Sequence, residues 1–520
     1  MTLYPGARRR FPLLSAAVLL ALHAGSALAA ADPELAAQVR ELTQRVKELE
    51  QVLARVSAQP TIAAAALPTT TAVDQRVRAL ERKLEVAAEE NAASKAKNPT
   101  VAVGEKGLSI TSSDGNFEAR LRGYVQLDSR FFSGDKTLTG SSATIDTFLA
   151  RRVRPIFEGT VYKDFYYKVM PDFAGSAVSL QDAYAEWRRL PFAKVSMGKF
   201  KEPLGLERLA SGSELTFVER GLTNNLVPNR DVGVQLTGEV LGGKLAYQVG
   251  VFNGVPDLGS VGVSDTNNAK DFVGRVFAQP FLDVYGPLQG LGVGLAGSHG
   301  EELGTAANTG LGSYVTPGQA KFFSYRTSKT TFVITDPKTK KSTTVTTSPS
   351  TDTTVIADGQ RSRYSPQGYW YWRQFGVFGD YVESSQEVVL NSSRGHLTNS
   401  AWQIASSIVL TGEDASFRGV KPKANFSPGA GQWGAVELVG RYGELEIDQD
   451  AFAGGFADLT KSASAAQSWG LGVNWYLNRN FKVNLDYDET AFNGGGGGTV
   501  LVPLDRATER VVLSRVQITY

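Results

Sequence analysis

From Asn116 to Tyr520 the chain repeats one pattern: polar and apolar residues alternate, segment after segment, with a period of two. In the first segment Glu118, Arg120, Arg122, Tyr124, Gln126, Asp128 and Arg130 share one parity. Phe117, Ala119, Leu121, Gly123, Val125, Leu127 and Phe131 share the other. Side chains alternate faces along a strand, so one face is charged and the other apolar. The run is longer than the ~5–6 residues usual in soluble sheets. A sandwich would use shorter strands and turn the charged face to bulk water. A membrane barrel turns the apolar face to lipid and the polar face to a hydrated lumen.

The signature recurs at 147–162, 164–173, 179–190, 192–200, 231–241, 243–253, 270–281, 289–299, 362–372, 375–385, 398–411, 433–447, 467–477, 480–490 and 508–520. With the first segment this predicts sixteen strands. Tight turns at Tyr162-Lys-Asp164, Leu190-Pro191, Gly242-Gly243 and Leu477-Asn-Arg-Asn480 alternate with excursions at 201–230, 254–269, 300–361, 448–466 and 491–507. Short turns at one end and long loops at the other is the outer-membrane arrangement. Residues 412–432 form a long connection where a short turn is due, which leaves a count of eighteen open. The Thr- and Ser-rich stretch 327–354 reads as a low-complexity loop. Tyr369-Trp-Tyr-Trp372, Trp475-Tyr476 and Phe165-Tyr-Tyr167 sit near strand ends, where interfacial girdles belong. The expected fold is all-β: a sixteen-stranded antiparallel transmembrane β-barrel over 108–520, in contact with outer-membrane lipid.

The chain ahead of the barrel reads differently. Residues 1–29 match a secretory signal, with Arg8-Arg-Arg10, the apolar run Phe11–Leu22 and an Ala27-Leu-Ala29 cleavage site. Residues 32–90 predict a short periplasmic coiled-coil helix, interrupted near 58–72. Leu35, Val39, Leu42, Val46, Leu49, Leu53 and Val56 follow heptad spacing, and Val73, Val77, Leu80 and Leu84 resume it. Such a seam calls for self-association. Residues 91–107 read as a polar linker. Net charge is only +2, which gives no basic excess for nucleic acid, and the absence of cysteine excludes thiol catalysis and Cys-ligated zinc.

The excursion 201–230 is both apolar and cationic. Leu204, Leu206, Leu209, Leu215, Phe217, Val218, Leu222 and Leu226 interleave with Lys201, Arg208, Arg220 and Arg230. It must pack against something and still present charge, so we expect it to fold into the lumen and narrow a channel for anions. On the wall, strand parity places Arg120, Arg122 and Arg130 beside Arg152 and Arg154. Adjacent strands lie ~4.8 Å apart, so these residues form a cationic column, or else pair with Glu118, Asp128 and Glu158 in a general porin's wall. Arg151 has the lipid-facing parity unless it lies at the rim or a bulge. Lys199 and Lys201 share the parity of Val195 and Met197.

Lys199–Leu236, with Arg151-Arg-Val-Arg154, resembles the phosphate- and polyphosphate-selective porin O/P family. Leu180-Gln-Asp-Ala-Tyr184, Ala401-Trp-Gln403, Leu410–Gly419 and Asn474–Asn478 extend the resemblance over roughly 108–520. It implies a homotrimer of sixteen-stranded barrels with an inward-folded third loop. It also implies an arginine ladder, matched by Arg151 and Arg152, leading phosphate or other small anions to a lysine-rich constriction. The position where some relatives carry that lysine falls near Ser213. The expected anion-binding and pore-lining set is Arg120, Arg122, Arg151, Arg152, Arg154, Lys199, Lys201, Arg208, Arg220 and Arg230. The terminal aromatic strand ending in Tyr520 resembles a sorting signal for the barrel-assembly machinery of a Gram-negative outer membrane.

No catalytic constellation, cofactor motif or metal site emerges. Gly292-Val-Gly294-Leu-Ala-Gly297 matches a nucleotide-binding pattern but lacks the following helix, so its glycines read as thinning a barrel strand. Glu444, Glu446, Asp448 and Asp450 lack the turn glycine of a calcium loop. His299 and His396 have no partner motif. The rival readings are a general porin and a structural tether whose coiled coil grips the cell wall.

Overall fold

A computed structural model describes residues 98–520, apart from 135–143, 261–266, 328–330, 336–341 and 347–352, together with scattered helical positions between 44 and 86. The chain divides into two units, Met1–Asn91 and Ala92–Tyr520. Most heptad positions, the signal segment and the interruption near 58–72 lie outside the described residues. Val77 and Leu80 are helical and exposed.

The second unit opens with a hairpin, β1 (Thr100–Gly104) and β2 (Gly107–Thr111), so a strand stands within the stretch that reads as linker. Sixteen longer strands follow among the described residues. They are β3 (Glu118–Ser133), β4 (Thr147–Val161), β5 (Phe165–Asp172), β6 (Ser179–Leu190), β7 (Ala193–Phe200), β8 (Asp231–Val240), β9 (Leu245–Phe252), β10 (Asp271–Ala278), β11 (Leu291–Leu303), β16 (Ile356–Trp372), β17 (Phe375–Leu390), β18 (Ser393–Val409), β19 (Ala435–Glu446), β20 (Ala463–Tyr476), β21 (Phe481–Gly498) and β23 (Glu509–Thr519). Each pairs antiparallel with its neighbour in sequence. β23 then closes on β3, bringing Arg515 opposite Asp128. β2 pairs with the start of β3, at Leu108↔Leu121, where β23 has ended. The count is sixteen, not eighteen, because 412–432 contains no strand.

The outside of this barrel is apolar. Leu127, Phe148, Met197, Val249, Phe272, Ile404, Leu471 and Leu485 are all exposed, while Gln126, Asp128, Arg152, Arg154, Asp182, Asn484 and Arg515 on the opposite parity are buried. That inversion suits a hydrocarbon solvent, where strands must also close so that no edge is left unpaired.

Several excursions are more structured than their composition suggests. Residues 386–397 continue β17 and β18 to a tight turn at Asn391, which adopts φ 56°. Within 300–361, β12 (Ser313–Val315) pairs with β13 (Lys321–Ser324), burying Tyr314, Phe322 and Phe323. The Thr- and Ser-rich stretch holds β14 (Thr331–Thr335) and β15 (Ser342–Thr346), a two-stranded sheet in place of the expected loop. β22 (Pro503–Asp505) pairs with the end of β21. The aromatic clusters split. Trp370 and Trp475 donate their indole N–H groups to rim carbonyls of Pro287 and Trp433, as girdle residues would. Tyr369, Tyr371 and Tyr476 have the opposite parity and turn inward.

Candidate functional site

Residues 201–230 leave β7 and return at β8 inside the barrel. Leu204, Leu206, Leu215, Phe217, Val218, Leu222 and Leu226 are each at most 2% exposed. Leu204, Leu222 and Leu226 pack with Phe252, Val273 and Tyr314. Leu206 and Phe217 pack with Phe277 and Phe378, and Val218 packs with Val511 and Leu513. Each such side chain contributes about 1.5–3 kcal/mol on full burial.

The polar backbone between these anchors is satisfied by the wall. Gln126 on β3 donates to the Gly212 carbonyl at 2.8 Å, and Gln517 on β23 to that of Ser213 at 3.0 Å. Lys482 on β21 donates to Leu215 O at 3.0 Å, Asn474 on β20 to Thr216 O at 2.8 Å, and Arg441 on β19 to Glu219 O at 2.6 Å. The Val218 N–H donates to Asp486 at 2.6 Å. Amide and cationic side chains at lumen-facing positions thus replace the water that a free loop would use. α1 (Leu206–Leu209) presents Glu207, which accepts from the Gly221 N–H at 3.0 Å, Asn224 at 2.7 Å and Gln403 at 3.2 Å.

The segment lies between two cavities. The one toward the long loops has a volume of about 390 Å³ and is lined by Arg151, Arg152, Arg154, Arg208, Glu219 and Arg220, among others. The one toward the short turns has a volume of about 1250 Å³ and includes Arg122, Lys168, Asp182 and Arg275. Lys201, Gly212 and Arg230 line both.

The tandem arginines depend on a backbone irregularity. The β3–β4 register slips after Gln126↔Arg152, so that Leu127 faces Ala150 and Arg151 has no opposite number. This bulge puts two consecutive side chains, Arg151 and Arg152, on the lumen side. Both reach Glu219, with Arg152 at 3.6 Å. Arg130 at 3.3 Å and Arg515 at 3.5 Å complete a set of four guanidiniums around this one carboxylate. Burial pushes the Glu219 carboxyl up, but Arg151, Arg152 and Arg515 overcome that and hold it well below the usual range.

The remaining wall cations do not form a bare column. Arg122 meets Glu158 at 2.7 and 2.9 Å, Arg120 meets Glu118 at 2.5 Å, and Arg154 meets Asp172 at 2.7 Å. Asp128 pairs with Arg515 and not with Arg130. Arg230 shares Asp182 with Lys168, at 2.7 and 2.8 Å. Lys199, at the end of β7, and Arg120 line neither cavity.

Three loop cations differ. Lys201 donates to the Leu209 and Ala210 carbonyls at 3.3 and 2.6 Å. Arg220 donates to Glu207 O and Ala210 O at 3.2 and 2.9 Å, and Arg208 to Asn224 O and Asn229 at 2.6 and 3.3 Å. Among the described residues none of the three has a carboxylate within ion-pair distance. Burial, with Arg220 and Arg230 close by, lowers Lys201 well below an ordinary lysine, and burial brings Arg220 down to about 10.

Closure of β23 on β3 is what brings Arg515 to Glu219. Glu219 itself carried no signal in the sequence beyond being one acid in a cationic stretch.

The sequence pattern that defines the "Phosphate-selective porin O and P" family matches residues 117–492. The chain belongs to that family. It is therefore an outer-membrane porin, a channel and not an enzyme. This porin is 23% identical over 416 residues to Porin O of Pseudomonas aeruginosa, covering 73% of this chain and 84% of that one. Among solved structures it is similar to the outer membrane channel DcaP of Acinetobacter baumannii, with TM-score 0.47 and 10% identity over 78% of this chain and 98% of that one. It is also similar to an anion-selective porin from Comamonas acidovorans, with TM-score 0.44 and 10% identity over 78% and 100%.

Proposed function

We propose that this porin passes small anions, phosphate or polyphosphate first among them, through the opening bounded by Lys201, Gly212 and Arg230. Residues 201–230 act as its constriction. The observation that carries this reading is the contrast between paired wall arginines and the carboxylate-free trio Lys201, Arg208 and Arg220. A paired arginine has little left to offer a passing ion. A cation bonded only to carbonyl and amide oxygens keeps its net charge, and can replace part of an oxyanion's hydration shell without holding it irreversibly. Arginine meets phosphate oxygens in pairs, while lysine acts as a point charge. The cluster around Glu219 lies on the side of entry from the long loops and extends the favourable potential outward. No covalent step is involved.

The test is electrical. In planar bilayers under a potassium chloride gradient, the reversal potential should report chloride over potassium, and added phosphate should reduce the chloride current. Lys201→Gln and Arg220→Ala should each weaken phosphate block severalfold. A wild-type pore that is unselective or cation-selective would sink the proposal, and would favour the tether reading.

A further inference from the structure

The cavity toward the short turns has a second chemistry on its wall, apart from its acids. Arg275 on β10 is not paired with any carboxylate among the described residues. Its Nε donates to Gln367 at 3.1 Å and its Nη1 to Gln248 at 3.3 Å, and Nη2 has no hydrogen-bond partner among the described residues. The guanidinium lies 4.6 Å from the centre of the Phe277 ring. Phe277 is 5.2 Å from Tyr369, and Tyr369 stacks on Phe417 at 5.4 Å with the planes 18° apart. Phe417 and the exposed Arg418 belong to the long connection 410–434, which folds back into this end of the barrel.

The ring surface is built into the backbone. A Cβ on Gly292 would come within 2.6 Å of Phe277 and 2.9 Å of Tyr369, and one on Gly294 within 2.4 Å of Phe277. The two glycines of β11 therefore let rings from both neighbouring strands lie flat over it. Two of the three glycines of the Gly292–Gly297 motif thus thin a barrel strand, as their context in the sequence indicates. Phe277 and Phe378 are buried against Leu206 and Phe217, so the patch helps hold the constriction segment. Tyr369, Tyr371 and Phe417 are only partly buried, however, and line the cavity. The acids lining the same cavity come from β6, β8 and the loop, and none hydrogen-bonds Arg275 or Arg418.

Resting on the anion-channel reading, we infer that this face is a binding subsite for small aromatic anions, a ring bearing a carboxylate. The carboxylate would meet Arg275, and the ring would lie on Tyr369 and Phe417. Phosphate gains nothing from stacked rings, because it has no apolar face to lay on them. An aromatic acid gains both a desolvated cation and a ring face.

Benzoate and acetate, equal in charge, provide the probe. Each is added to the short-turn side of channels in planar bilayers while chloride current is recorded. Benzoate should halve the current at a concentration roughly threefold to tenfold below that of acetate. In Arg275→Gln the two should block alike. Phe417→Leu, on the connection and not on a strand, should also narrow the gap and covers the case in which Arg275→Gln does not assemble. Equal block by both acids in an anion-selective wild-type pore overturns this inference alone, as does an unchanged ratio in the variants. A pore that is not anion-selective overturns the underlying reading first.

Discussion

Glu219 sets one carboxylate among Arg130, Arg151, Arg152 and Arg515, and it is the residue on which the cationic wall turns. Removing one member of a buried charge set costs about 3–5 kcal/mol, mostly because the partners are left uncompensated. Glu219→Gln should therefore lower the unfolding temperature of the barrel in detergent. A soluble oxyanion can enter where the carboxylate was. Phosphate should accordingly raise the unfolding temperature of the variant more than that of the wild type, and equal shifts would show that the cluster is not open to solution ions. Lys201 gives the pH dependence. Its folded pKa lies below the ordinary ~10.4, so between the two values the unfolded chain holds a proton that the folded one has released. Stability contributed through this group rises with pH across that window, while its charge, and with it anion selectivity, is lost as pH rises through the lowered value. Reversal potentials measured across a pH series should drift toward zero in the wild type as pH rises through that lowered value. In Lys201→Arg they should hold to higher pH.

At the scale of elements, the strands were legible and the excursions were not. Period-two alternation is imposed by two different solvents on the two faces, so each barrel strand announced itself to within a few residues, except where β16, β17, β18 and β21 run on into their loops. There the chain leaves the hydrocarbon, and the constraint on composition lapses with it. The bulge at Arg151 was visible only as a conflict, a cation at a lipid-facing parity, and the register slip is its resolution. The mixture of leucines and arginines in 201–230 indicated that the segment packs. It could not indicate which wall residues would take up its carbonyls, because those come from five strands scattered through the chain. Glu207 is the internal tie of that segment, with three donors from Gly221, Asn224 and Gln403. Orphaning buried donors costs about 1–3 kcal/mol each. Glu207→Ala should loosen the segment without opening the barrel. The expected outcome is larger single-channel conductance with weaker anion preference, and faster proteolysis within 201–230, while the strand signal in circular dichroism is retained.

At the scale of the whole chain, a barrel that closes on itself follows a segment whose heptad spacing calls for partners. Closure pairs residues nearly the full length of the barrel apart, as Arg515 with Asp128, and no local pattern in the sequence specifies that contact; it follows from the strand count and the need to leave no edge in lipid. The helical unit poses the converse problem. Its heptad seam was plain in the sequence, yet a single helix has no second surface on which to bury it. Val77 and Leu80, both on that seam, are 46% and 61% exposed in the isolated chain. Exposed seam residues at heptad spacing gain most by meeting their own copies, since the same stripe then fills the holes of its neighbours. We expect the segment 32–90 to clamp three protomers from the periplasmic side, adding to whatever contact the barrels make between themselves. Deleting 32–90 should then lower the temperature at which the oligomer dissociates on semi-native gels, with the conductance of each surviving pore unchanged. Val77→Asp with Leu80→Asp should lower it in the same direction by a smaller amount, because charge at only two seam positions weakens the coil without removing it. An oligomer whose dissociation temperature is the same with and without the segment would assign the seam to another partner, such as the cell wall, and leave trimer stability to the barrel alone.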